Sequence, residues 1–458
     1  MELEEIRSNI LQIAEDAIKY ARDMNIPSAE AFVFKQNRID VNEQKGKISA
    51  RGGRIEGVGL RVAIGKKVGF SSCTGFTKSA LKASLEKAYQ IAQKSPETPN
   101  FPGFIASNHS GQEGILDPEI LQIEADKLIA DIDIALDGLD LSNDLIVAVD
   151  NDFTVQWHGY AIATTEGCHQ ATLHTSHENS SGVILAKGNQ RKTYYETRSG
   201  RTYQDLAGIA NFAFQKAMNS LDNVPFGKSE KLTLILHPKT ASIVFSFAMN
   251  ALFDGSTYVQ KANPLQEKLG SQIAPKWLNL YDNGQDVKSI GTVAIDTEGS
   301  SVQRTQIISD GIFKTFLYDH RYGNAAETSS TGNAVRTTMF GGIPFEQTPL
   351  VGAHKFMINP GKKDFNQIIA EHDHAIYIEG YPKGLHTANV LSGDFSLISN
   401  NAFLVKNGEI QHPLDNISLS GNFVKALEKI TMVGNDIART ALKMDAPTMV
   451  IDDISFSS

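Results

Sequence analysis

The side chains best suited to chemistry are the twelve histidines, because a neutral imidazole serves as a general base and as a common metal ligand. Their densest group is Glu371-His372-Asp373-His374, with His386 following. Residues two apart on a strand project from one face, so Glu371, His372, His374 and a returning His386 are the set that could chelate zinc. The competing reading is a polar strand edge ahead of the apolar Ala375-Ile376-Tyr377-Ile378 segment, and no group is identifiable that would orient the imidazoles. A zinc-binding helix needs His-Glu with a second His one turn on. The His-Glu pair here, His177-Glu178, is followed by Asn179-Ser180-Ser181-Gly182 and reads as a turn between strands. Asp296, Glu298 and Asp394 are candidates for paired carboxylates, but their turn-rich surroundings favour solvated capping roles. Gly59 to Gly65 with Lys66 fails as a phosphate loop, since five residues separate the glycines and Lys67 replaces the hydroxyl residue. That segment reads as strand, turn, strand. There is no G-x-S-x-G elbow, and Cys73 and Cys168 lie too far apart in sequence to suggest a thiolate cluster or a disulfide framework. A reducing compartment fits.

The elements that must position these groups follow from periodicity. Leu3, Ile6, Ile10, Ile13, Ala17, Ala21 and Met24 recur at spacings of three and four, predicting a helix over about 2–24 that ends before Pro27. Segments 29–34, 58–64 and 68–72 predict strands, and Thr77 predicts the N-cap of a helix whose buried face runs from Ala80 to Ala92. The proline- and glycine-containing stretch from Ser95 to Asp117 reads as a linker. Asp117-Pro118-Glu119 then predicts a helix start reaching about Leu136. Six short segments between 145 and 196 predict an antiparallel meander, closed by a helix over about 203–217. Beyond it lie an alternating strand at Leu232, Leu234 and Leu236, an apolar helix from Thr240 to Phe253, many turn-bounded strands, and a helix over about 423–430 before a final strand pair. The pattern predicts an α+β protein with an N-terminal α-β-β-α module (1–95), a linker (96–117), a middle antiparallel αβ domain (118–225) and a large, mainly-β C-terminal domain (230–458).

A chain of 458 residues with 41% hydrophobic content can bury a core in each of these units. Its net charge of −9, from 43 basic and 52 acidic residues, provides no footprint for nucleic acid. The amphipathic, charged N-terminus and the absence of a long apolar run argue against export and membrane spanning, so a cytoplasmic protein is expected.

Several ordered strings resemble the TldD/PmbA family, once called modulators of DNA gyrase and now associated with peptidase activity. They are Gly57-Val58-Gly59-Leu60-Arg61-Val62 with Gly69-Phe70; Asp296-Thr297-Glu298-Gly299 with Arg304, Asp310-Gly311, Leu317 and Asp319; Thr331-Gly332-Asn333-Ala334 with Arg336; and Gly393-Asp394-Phe395-Ser396, Asn407-Gly408-Glu409-Ile410 and Val433-Gly434-Asn435-Asp436. The resemblance covers nearly the whole chain. TldD-type members carry a His-Glu-x-x-x-His helix and a C-terminal cysteine as zinc ligands. Here the matching helix has no His, Glu or Cys and presents Ser246, Phe247, Asn250 and Ala251 instead, while Cys168 is the last cysteine. The chain is similar in this to the PmbA branch, also called TldE. That implies a subunit with no catalytic residue and no cofactor of its own, paired with a TldD-like partner that carries the zinc, the heterodimer enclosing a cavity for unfolded or flexible peptides. Two other outcomes stay open: a homodimeric peptide-binding or regulatory protein, and an independent hydrolase at the displaced Glu371, His372, His374 and His386 site.

Overall fold

The computed structural model describes residues 3–337, 341–389 and 391–458. Helix α1 (Leu3–Asp23) buries Ile6, Ile10, Ala14, Ala17, Ile18 and Ala21, the stripe its spacing predicts. Strands β1 (Ser28–Gln44), β2 (Lys47–Ile64) and β3 (Lys67–Thr74) follow, and then α2 (Lys78–Lys94), whose cap Thr77 Oγ1 accepts from Ala80 N at 3.3 Å. Helix α3 (Ala125–Ala135) starts later than Asp117-Pro118 implies. The Asp117 carboxylate closes a turn by accepting from Glu119 N at 3.0 Å, and its second oxygen accepts from Tyr203 N at 2.9 Å, so it joins two segments rather than capping a helix.

Strands β4 (Ile146–Thr164), β5 (His169–Lys187) and β6 (Gln190–Gly200) are three long strands where six short ones are expected, and α4 (Ile209–Asn219) closes the unit. All six strands form one antiparallel sheet in the order β3-β2-β1-β4-β5-β6. Strand β1 pairs with β4 continuously from Glu30↔Thr164 to Gln44↔Asp150. The boundary expected at 96–117 therefore does not separate two sheets: residues 1–95 and 118–225 share one, because β1 spends one edge on β2 and the other on β4.

Side-chain alternation on β4 divides this sheet into two working faces. Phe153, Val155, Trp157, Ala161 and Ala163 face the four helices and are buried with them. Tyr160 and Ile162 point the other way, packing with Phe32 and Phe34 against Ile295 and Phe345 of the C-terminal unit.

The C-terminal unit contains two large sheets with a helix between them, and a two-stranded pair of 334–335 with 350–351. Strand β7 (Ser229–Leu236) pairs in parallel with 374–378 and antiparallel with 449–457 near the middle of an eight-stranded sheet. A five-stranded sheet combines 280–283, 304–309, 312–313, 356–358 and 444–445. Helix α5 (Pro238–Leu252) begins two residues before the expected Thr240, with proline in the first turn where its missing N–H costs nothing. Its Phe245, Met249 and Leu252 pack in one core with Leu234 and Leu419 from the larger sheet and Leu280, Ile308 and Phe356 from the smaller. Burial between two sheets explains why α5 is apolar nearly all round. The α+β class read from the sequence holds.

Helix α2 lies so close to β3 that a Cβ on Gly69 would sit 2.0 Å from Ala88 O and 2.5 Å from Ala92 N. Gly69→Val therefore forces the helix off the sheet, costing roughly 2–3 kcal/mol. Thermal unfolding followed by circular dichroism is expected to show a midpoint lower by roughly 2–3 °C, and an unchanged midpoint would mean that α2 yields freely.

Candidate functional site

Where the second face of the N-terminal sheet meets the C-terminal unit there is a cavity of about 1030 Å³. Arg61 and Phe70 line it from β2 and β3, Phe101 and Pro102 from the crossover, and Ser246, Phe247, Asn250 and Ala251 from α5. Positions 246 and 250 are one helical turn apart and share a face. Helices α6 (Gly255–Val259) and α7 (His320–Ala325) begin at the same cavity, capped by Asp254 through Ser256 N and by Asp319 through Tyr322 N, each at 2.7 Å.

One wall is a buried ionic cluster. Arg61 Nε donates to Glu30 Oε1 at 2.8 Å and its Nη2 to Glu298 Oε1 at 2.9 Å. Arg336 Nη2 donates to Glu30 Oε1 at 2.6 Å, and its guanidinium lies 4.2 Å from the centre of the Phe32 ring. All four charged residues are buried. Burial pushes the Glu298 carboxyl up, but the Arg61 charge and hydrogen bond outweigh it and leave Glu298 below its ordinary range. Burial, then the nearby Glu298 charge, raises the Asp319 carboxyl to about 7, outweighing the Tyr322 N hydrogen bond and the charges of Arg61 and Arg321. Burial also holds the His320 imidazole below its ordinary value against the pull of Glu298.

The turn that delivers Glu298 is built by its neighbours. Asp296 Oδ1 accepts from Glu298 N and Ser300 N, both at 2.9 Å, and Oδ2 from Ala334 N at 3.1 Å. Burial and the Glu298 charge lift Asp296 to about 8 against those three donors. Gly299 turns the chain at φ +97°, with Cys168 Sγ only 2.8 Å from where its Cβ would stand. A left-handed backbone and a close neighbour both require glycine there. The expected solvated role of Asp296 and Glu298 is thus corrected: both are buried, one as a structural knot and the other as an ion-pair partner. Asp394, by contrast, is exposed at the start of the strand 394–399, where it accepts from Asn422 Nδ2 at 2.8 Å.

Comparison with known proteins follows this geometry. The model of the PmbA/TldA metallopeptidase C-terminal domain matches residues 229–458, and that of PmbA/TldA metallopeptidase domain 1 matches residues 29–92. The chain belongs to the PmbA/TldD family. An uncharacterised protein of Methanocaldococcus jannaschii is 24% identical over 92% of this chain and 94% of its own length. The metalloprotease PmbA of Escherichia coli O157:H7 is 25% identical over 93% of this chain and 92% of its own. The crystal structure of TldE from Thermococcus kodakarensis superposes with a TM-score of 0.85 at 22% identity, covering 97% of this chain and all of the other (100%).

For a PmbA/TldD chain the test is whether α5 can hold zinc. It offers the cavity a hydroxyl from Ser246, an amide from Asn250, and the side chains of Phe247 and Ala251. Asn250 Oδ1 already accepts from Ala353 N at 3.0 Å. Neutral oxygens without imidazole, thiolate or carboxylate are a poor zinc set, so these four positions do not fit the metal.

The displaced set is not brought together. Glu371 ends the helix 365–370 and pairs with Lys363; His372 lies in the following turn with Nδ1 2.6 Å from Ile368 O; His374 opens the strand 374–378; and His386 sits in a 3-10 turn. His372 and His374 therefore do not share a strand face, and none of the four lines the cavity. Among the described residues no group of three or more His, Cys, Asp or Glu is placed to hold a metal. His177-Glu178 lies within β5 rather than at a turn. The roles of Glu30, Arg61, Asp319 and Arg336 were missed, although a lone charge inside an apolar strand, as at Glu30 and Arg61, signals a buried partner.

Asp319 yields a pH prediction. Its folded value of about 7 exceeds the ordinary 3.8, so the folded chain keeps a proton that the unfolded chain releases. Its contribution to stability is full below the ordinary value and is lost as pH rises through about 7. Asp319→Asn keeps a side-chain oxygen for the cap and is expected to flatten that part of the decline in urea midpoint. An unchanged pH profile would place the titration elsewhere.

Proposed function

We propose that this chain is the substrate-holding, non-catalytic subunit of a PmbA/TldD-type peptidase, and that hydrolysis of unfolded or flexible peptides takes place with zinc on a TldD-like partner chain. The observation carrying this reading is the α5 wall of the main cavity, where Ser246, Phe247, Asn250 and Ala251 supply contact and hydrogen bonding but no ligand set for the metal. At about 1030 Å³ the cavity lies at the top of the usual range for ligand sites. Its walls mix aromatic side chains, Phe70, Phe101 and Phe247, with charged ones at Arg61, Glu298 and Asp319, as suits a peptide bearing both kinds of group. The name of the Escherichia coli relative, metalloprotease PmbA, and that of the archaeal TldE both agree with membership of such an assembly.

In this reading the chain binds and orients the peptide. Arg61, fixed by Glu30 and Glu298, keeps its place as ligands come and go. Among the described residues no helix is long and apolar enough to cross a membrane.

The test is metal analysis and casein hydrolysis by the purified chain, alone and mixed with a TldD-like protein from the same genome. Zinc and hydrolysis are expected only in the mixture, with a complex resolved by size-exclusion chromatography. One zinc per chain and hydrolysis by the isolated protein would refute the proposal.

A further inference from the structure

Alternation along β4 and β5 gives the cavity side of the N-terminal sheet a polar floor. Over it lies a second cavity of about 530 Å³, which shares Val335, Thr337 and the loop 441–443 with the main one. Two histidines stand on this floor. His158 on β4 is directly opposite His174 on β5, and residues so placed in an antiparallel pair project from one face with Cβ atoms about 5 Å apart. Their rings stack with centroids 4.6 Å apart and planes 17° from parallel, so one small group can touch both.

Buried polar groups in a folded protein almost always find partners, so the exceptions are informative. His174 is 7% exposed and His158 is half-buried. Among the described residues none of their four ring nitrogens has a hydrogen-bond partner, and only His174 Nδ1 is sealed off by surrounding atoms. The other three belong to rings that line the cavity and have no protein group to bond. Burial, and then the Arg201 charge, holds both imidazoles below their ordinary value, His158 at about 4, so both are neutral at pH 7. A neutral imidazole carries one donor and one acceptor.

The chemistry of the missing partner follows from this inventory. The adjacent floor residues are uncharged and bonded to one another: Gln36 Nε2 donates to Gln156 Oε1 at 2.6 Å, and Gln156 Nε2 to Ser176 Oγ at 3.2 Å. A cation is opposed by the Arg201 charge, which already acts on both rings. Arg201 itself is buried and spends its donors on Ser289 O, Thr292 O and Ile115 O. The other guanidiniums of this cavity are also engaged, Arg38 with Asp40 at 2.8 Å and Arg336 with Glu30 at 2.6 Å. A carboxylate would use the imidazole donors and leave the lone pairs unanswered. An uncharged amide uses both, its C=O accepting and its N–H donating. Because the two cavities share the loop 441–443 as a wall, a peptide held in the main cavity reaches the floor by passing that loop.

We infer that the His158–His174 pair is a subsite for an uncharged amide of the bound peptide. This rests on the main cavity being a peptide site. The amide can be the side chain of a Gln or Asn residue or the peptide backbone, and the experiment separates them. Fluorescence polarisation is measured with three dye-labelled hexapeptides, acetylated and amidated at their ends and identical except for a central Gln, Leu or Glu. The wild-type chain is expected to bind the Gln peptide roughly tenfold more tightly than the other two, as two neutral hydrogen bonds would give. The double variant His158→Phe, His174→Phe keeps two stacked rings and removes every nitrogen, and it should lose that preference; His174→Gln, which keeps a donor and an acceptor, should retain part of it. Because no protein group bonds these nitrogens, the double variant is expected to unfold at the wild-type thermal midpoint. No preference in the wild type, with all three peptides weakened alike in the double variant, would assign the amide to the backbone. A preference for Glu, a Gln preference that survives in the double variant, or a midpoint several degrees lower would overturn the subsite. Equal binding of all three by both proteins sinks the subsite alone, and failure of all three to bind, with or without a TldD-like partner, sinks the peptide-site reading as well.

Discussion

The junction between the two halves of the molecule depends on the salt-bridge cluster of Glu30, Arg61, Glu298 and Arg336. Two carboxylates and two guanidiniums balance in charge; Glu30 and Arg61 face each other across β1 and β2, while the links Arg61–Glu298 and Glu30–Arg336 span 237 and 306 residues and tie the two halves together. Burying four charges is costly, and a pair of this kind adds little net stability over a well-packed apolar substitute. What it imposes is register: removing one partner leaves an uncompensated buried charge at a cost of about 3–5 kcal/mol. Sliding the sheet across the C-terminal unit would separate the same groups. The cavity is bounded by this cluster, so its shape is held by the interaction least tolerant of displacement.

Helices and faces were legible from the sequence where one periodicity ruled. α1 and α2 follow their apolar stripes, and Thr77 caps as its type predicts. The long strands were not legible, because polar residues interrupt them and mimic turns. Asn151 lies inside β4, where its Nδ2 donates to Glu43 Oε2 at 2.9 Å and its Oδ1 accepts from Ser181 Oγ at 2.5 Å across the sheet. A buried polar ladder of this kind replaces apolar alternation, and only the tertiary partners make it tolerable. His177-Glu178 misled in the same way: a sequence typical of a turn is held extended by β4 and β6.

The site shows the same division. Ser246, Phe247, Asn250 and Ala251 were singled out by resemblance, and they do line the cavity. Spacing could not pair Glu30 with Arg336, because 306 residues separate them and only the tertiary fold brings them together. The proposed strand-face chelate failed because it assumed a strand where Glu371 ends a helix.

Helix α5 shows how scaffold and function separate in this fold. Its Phe245, Met249 and Leu252 are fixed by two sheets and bear the packing, whereas positions 246 and 250 face the cavity and are free to vary in chemistry without disturbing that core. A helix so placed can present ligands or neutral groups on the same backbone. With neutral groups there, the charged groups of the space come from other elements, among them Arg61 and Glu298, constrained by their ion pair, and Asp254, Asp319 and Arg321 near the starts of α6 and α7. Such a space recognises a ligand through charge and shape.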